Sequence, residues 1–92
     1  MPTFSLITAN DVQQQLAQAV RKKRKQLKLS RDALAEKSTV PASTIKKFET
    51  TTQISLRQFI LLWQCVDSLE NLLTISKEEP YKPSSIDEVL QQ

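Results

Sequence analysis

The stretch SRDALAEKSTVPASTIKKFE, residues 30–49, decides how the chain reads. Ser30 opens a helix because its hydroxyl oxygen can accept an unpaired first-turn N–H, and Asp32 places a negative charge where the helix dipole favours one. This helix runs through Leu34 and Ala35 to about Lys37. Ser38 to Pro41 is a connector, since proline disfavours a helical Val40 and has no N–H to donate. A further helix spans Ala42 to Glu49. At 100° per residue, Ile45 and Phe48 turn to one side with Thr44 at the edge, while Ala42, Ser43, Lys46 and Lys47 take the opposite arc. One face therefore holds the protein. The other is small at its start and cationic beyond, which suits a DNA major groove where Ser43 and the lysines reach base edges and phosphates. A lysine-bearing face that is merely solvated is the competing reading.

Upstream, Thr8 and Asp11 form a capping box, with Ile7 and Val12 as a hydrophobic staple. Apolar positions Val12, Leu16, Ala19, Val20 and Leu27 then carry one helix through the basic run RKKRK to about Leu27. Lys23 falls within that stripe, where its methylenes can pack while its ammonium reaches solvent. Downstream, TTTQ reads as a loop, and Ser55 with Gln58 caps a fourth helix. Leu56, Phe59, Ile60, Trp63 and Val66 line one side of it, and Leu61, Leu62, Cys65 and Leu69 the other. So small a chain has little with which to cover a second apolar face, which predicts a homodimer using Leu62, Trp63, Cys65 and Leu69. Asp67 bends or caps the chain into SLENLLTI, whose end reads equally as strand or helix. Beyond it lie a polar, proline-containing linker, SKEEPYKPSS, and a short SSIDEVLQQ with a capping box at Ser85 and Glu88.

At 92 residues the chain supports one small domain. Its net charge of +3 is unevenly spread: residues 1–57 carry +7 and residues 58–92 carry −4. A basic front suits a polyanion, because clustered cations release the counterions condensed on phosphates. The single Cys65 excludes an internal disulfide framework and agrees with the cytoplasm. No apolar run reaches the roughly 18 residues of a membrane span. With no histidine, no glycine-rich phosphate loop and no cysteine pair, the expectation is neither an enzyme nor a protein with a metal or cofactor.

Residues 30–49 resemble the helix-turn-helix of the Cro and phage-repressor family, also called the XRE type. The matching features are Leu34 and Ala35 in the first helix, Val40 after the turn, and Ile45 and Phe48 in the second. The segment KKRKQLKLSRDALAEK also follows that family's pattern, with a leucine before the capping serine. The resemblance covers about residues 10 to 75. It implies an all-α, five-helix repressor-like domain over residues 1–75 and a short C-terminal extension over 76–92. It also implies DNA contacts from Ser30, Arg31, Pro41, Ala42, Ser43, Thr44, Lys46 and Lys47. Arg31 stands where a phosphate-binding glutamine is usual, and Arg24 with Glu49 match a structural ion pair between the first and third helices. The chain departs from the family in having no glycine at Thr39 or Lys28. A left-handed non-glycine residue costs on the order of 1 kcal/mol, so each turn is either reshaped or strained. Pro41 also removes the usual cap oxygen, and no hydrogen-bonding contact is expected from it.

The run RQFILLWQCVDSLENLLTISKEEPYKPSSIDEVL is similar to the ends of HipB-type antitoxins. That likeness implies a dimer that binds an inverted-repeat operator, represses its own operon and associates with a HipA-like Ser/Thr kinase toxin. Two alternatives remain open: a solitary phage-type repressor without a toxin, and an adaptor that uses the same fold to bind protein.

Overall fold

The computed structural model describes residues 6–77. Helix α1 (Ala9–Gln26) opens on the expected capping box: Thr8 Oγ1 accepts the Asp11 N–H at 3.1 Å and Asp11 Oδ2 accepts the Thr8 N–H at 3.0 Å. Its buried stripe differs from the expected one. Ala17, Val20 and Arg24 are buried, whereas Val12 and Leu27 are exposed, as is Ile7 of the expected staple. Leu27 ends the helix as its C-cap, just before Lys28 reverses the chain at φ 59°. The buried positions run from the middle of α1 toward its C-terminal end, where the other helices meet it.

Two short helices follow, α2 (Arg31–Ser38) and α3 (Ala42–Thr51). Ser30 caps α2 by accepting the Ala33 N–H at 3.0 Å. Thr39 adopts the left-handed conformation (φ 65°, ψ 8°), so the glycine-free turn is strained and not reshaped. Ser38 closes α2, is buried, and accepts the Val40 N–H on its hydroxyl at 3.1 Å, which satisfies a donor that the turn would otherwise strand. Helix α3 continues two residues into the expected threonine loop. The Thr50 and Thr51 hydroxyls donate back to the Lys46 and Lys47 carbonyls at 2.8 and 2.6 Å, and Thr52 then ends the helix at φ 66°.

Helix α4 (Leu56–Val66) is capped by Ser55, which accepts the Gln58 N–H at 3.1 Å. Phe59 and Leu62 drop into a core shared with Ala17, Val20, Leu34, Val40, Ile45 and Phe48. The Phe48 and Phe59 rings meet edge to face, 5.8 Å between centroids at 70°, a geometry aromatic pairs favour. α1 and α2 each pack on both α3 and α4, so the core sits among four helices. Leu62 lies at 0% exposure there and offers nothing to a second copy, which overturns its expected dimer role. The expected all-round burial of α4 also fails at Leu56, which is exposed.

The chain then turns at Asp67 into α5 (Leu69–Leu73) and a 3-10 turn (Thr74–Ser76), which decides between helix and strand for this segment. The described residues are all-helical and contain no strand, and no helix among them is long and apolar enough to cross a membrane. The proline-containing linker beyond Lys77 and the Ser85–Glu88 capping box lie outside the described residues.

Candidate nucleic-acid interface

The Glu49 side chain is 1% exposed at the inner edge of α3, and three guanidinium groups converge on it. Arg24 grips it with two bonds, Nε to Oε2 at 2.8 Å and Nη2 to Oε1 at 3.0 Å. Arg31 adds Nε to Oε1 at 3.1 Å, and Arg21 approaches to 4.0 Å. Burial works against the charge on Glu49. Hydrogen bonds from Arg24 and Arg31, with their positive charge, outweigh that and hold the carboxyl below its ordinary value. The third arm of Arg24, Nη1, donates to the Leu29 carbonyl at 2.8 Å, tying the α1–α2 turn into the same knot. The planar guanidinium fork suits such a bidentate, partly desolvated junction. The expected Arg24–Glu49 pair is thus present, joined by an Arg31 bond that the sequence reading did not foresee.

This knot fixes the azimuth of α3. With Ile45 and Phe48 in the core, Ser43, Lys46 and Lys47 are exposed, Pro41 is exposed before the first turn, and Ala42 and Thr44 are half-buried at the margins. Both lysine side chains face away from the interior. Pro41 supplies no side-chain cap, but its carbonyl accepts the Ile45 N–H at 3.0 Å and starts the helix. Thr50 also lies at the middle of the exposed arc, although the threonine run reads as loop in the sequence.

Between α1, α2 and α3 lies an open groove of about 600 Å³. Ser30, Arg31, Ala42, Ser43 and Lys46, five of the eight expected DNA-contacting residues, line it together. Pro41, Thr44 and Lys47 do not. Arg21 and Lys25 from α1 complete the wall. Neither was singled out from the sequence, although a helical projection of RKKRK places Arg21, Arg24 and Lys25 within one arc of about 100° and sends Lys23 to the opposite side. Arg31 spends its Nε on Glu49 while its side chain stays one-third exposed, so the outer edge of the guanidinium remains accessible.

No family model matches the chain, and no curated protein or solved structure does. The exposed face of α3 offers the hydroxyls of Ser43 and Thr50 and the two ammonium groups of Lys46 and Lys47, beside a cationic groove.

The other expected site, the dimer surface, is divided. Trp63 is half-buried and packs on Phe59, 5.9 Å between ring centroids; its indole N–H donates to the Ser68 carbonyl at 3.0 Å, and the Lys23 ammonium lies 5.6 Å from its ring. Lys23 is one-third exposed, and its ammonium, expected to reach solvent, ends on the Asp67 carboxylate at 2.8 Å. That hydrogen bond, with others from the Ser68 N–H and the Asn71 amide, lowers the Asp67 carboxyl to about 2. Trp63 therefore locks the α4–α5 corner. Cys65 is half-buried, and burial pushes its thiol up against the opposing charge of Lys37, so it stays protonated and weakly nucleophilic at neutral pH. Leu69, by contrast, is exposed, as are Leu73 one turn on and Ile75 at 85%.

Proposed function

We propose that this protein is a sequence-specific DNA-binding repressor of the Cro and phage-repressor helix-turn-helix type. In this reading it acts from the cytoplasm as the antitoxin of a HipBA-like toxin–antitoxin operon. One observation carries the DNA reading: α3 buries Ile45 and Phe48, is clamped through Glu49, and presents Ser43, Lys46 and Lys47 on its free face. A helix so clamped can enter a major groove without losing its register to the rest of the domain. Ser43 then reads base edges while Lys46 and Lys47 meet bases or phosphates.

The exposed apolar side chains of α5 and the 3-10 turn, Leu69, Leu73 and Ile75, support dimerisation in this reading, since a second copy would cover them. Two α3 helices would then address half-sites of an inverted repeat about one helical turn apart. The antitoxin role and the HipA-like kinase partner rest on the sequence likeness of the C-terminal half, part of which lies outside the described residues.

Selection of bound duplexes from random DNA tests the reading. An enriched inverted repeat is expected, and no enrichment would favour the protein-binding adaptor. On the selected site, Lys46→Ala with Lys47→Ala should weaken binding and lower the salt slope by about 2, with helicity intact. Ser43→Ala should change base preference more than overall affinity.

A further inference from the structure

The basic run on α1 is not absorbed by the reading above. Arg21 and Lys25 are four residues apart on one helix face, where like charges repel and destabilise the helix. The carboxylate that Arg21 approaches is no remedy. Glu49 brings one negative charge, already shared by Arg24 and Arg31, and reaches Arg21 only at 4.0 Å with that arginine 52% exposed. Lys25 has no carboxylate within 4 Å among the described residues. Asp32 is the only acid lining the groove, against five cationic side chains, and it pairs with none of them within 4 Å.

A surface that gathers uncompensated cations is short of an anion. The opposite wall of the groove says which anion. Ala42, Ser43 and Lys46 belong to the first turns of α3, so a duplex whose major groove holds α3 passes its backbone along this wall, and the small side chains of Ala42 and Ser43 leave room for it. The groove is broad and open, which fits a chain of phosphodiesters lying across it better than a small free anion needing enclosure.

We infer that the groove between α1, α2 and α3 seats adjacent backbone phosphates of the duplex, with Arg21 and Lys25 of α1 as their cationic wall. The inference rests on the DNA reading and adds to it a third helix that touches the nucleic acid. Arg21 and Lys25 neutralise charge there and carry no sequence information, whereas Ser43 does the reading. Lys22 supplies a control: with Arg21 and Lys25 it lines a neighbouring surface of α1, but it is not part of the groove.

The test measures binding to the duplex selected by the unmodified protein, as a function of salt, for Arg21→Gln/Lys25→Gln and for Lys22→Gln, with circular dichroism as the check of fold. The double variant should flatten the slope of log K against log salt by about 2 while keeping the same base preferences; Lys22→Gln should leave the slope near its original value. Equal slopes for the two variants would overturn the seat. So would inorganic phosphate alone saturating backbone amide shifts around Arg21 and Lys25, which would mark a free-anion site instead. If the double variant folds poorly, Lys25→Gln alone, at an exposed position with no ion pair among the described residues, should still flatten the slope by about 1. DNA that binds without any enriched sequence, yet with a slope that depends on Arg21 and Lys25, would sink the operator reading and leave the phosphate seat standing. No binding to any duplex would remove both.

Discussion

The two ends of this domain are stabilised by different means. Around Glu49, α1, α2 and α3 are knit by charged hydrogen bonds and closed over Leu34, Val40 and Ile45. Around Asp67, α4 and α5 are joined by one lysine, one tryptophan and a cluster of short polar bonds, while Leu69, Leu73 and Ile75 stay exposed. The first end is complete within a single chain. The second leaves apolar area in water that a partner surface could remove, at a gain of roughly 25 cal/mol per Å². A single domain can thus hold a rigid face for one partner and an uncovered face for another.

Breaking the Glu49 knot should have the largest effect. Glu49→Ala leaves the buried Arg24 and the half-covered Arg31 without their carboxylate, and removing one partner of a buried pair costs about 3–5 kcal/mol. That is comparable to the whole stability of a small domain, so urea unfolding should find the variant barely folded. Leu62→Ala should cost about 2–5 kcal/mol, as a large-to-small change in a filled core. The loss should be the same at every protein concentration, because Leu62 belongs to the core of one chain. A loss that grows on dilution would return Leu62 to a dimer interface.

Acid should strike both ends, by groups of the same sign. Glu49 titrates below its ordinary 4.5 in the folded chain, so its contribution is fully present above that value and is lost as pH falls through the lowered one. Asp67 behaves likewise between 3.8 and about 2. Stability against urea should therefore be level above pH 4.5 and fall below it. Asp67→Asn should remove the last part of the decline, and Trp63 fluorescence should report the change, since the indole shares the Lys23 contact.

The first end was the more legible in sequence. Capping residues at Thr8 and Ser30 announce helix starts by chemistry confined to four residues, and the 100° rule sorts Ile45 and Phe48 from the lysines without knowledge of any neighbour. Helix ends were less legible. Thr50 and Thr51 extend α3 by bonding back to its own carbonyls, a choice that weak local propensity does not dictate. Which apolar residues of α4 face inward was not legible either. An all-round apolar helix has no period to read, and Leu62 was assigned outward where packing turns it in. Arg31 and Lys23 found carboxylates that are distant in sequence, a consequence of the fold that no local pattern encodes.

Glycine offers the subtlest distinction between the two ends. Every left-handed residue among the described ones, Lys28, Thr39 and Thr52, borders α2 or α3, and none lies in α4 or α5. Thr39 is β-branched, and its conformation costs on the order of 1 kcal/mol that glycine would not incur. Glycine also loosens the unfolded chain by about 0.4–1 kcal/mol, and the change would remove the Thr39 hydroxyl bond to the Ser38 carbonyl. The strain relieved is about what glycine's entropy and the lost bond cost together, so Thr39→Gly should lie close to neutral, within about 0.5 kcal/mol. At Thr74, where φ is −58° and the hydroxyl donates to the Asn71 carbonyl, the same change relieves nothing and should cost about 0.5–1 kcal/mol. The urea midpoints of the two variants should thus separate, with Thr74→Gly the lower. If Thr39→Gly loses as much as Thr74→Gly, the hydroxyl bond and the stiffness of threonine matter more to this turn than its left-handed strain.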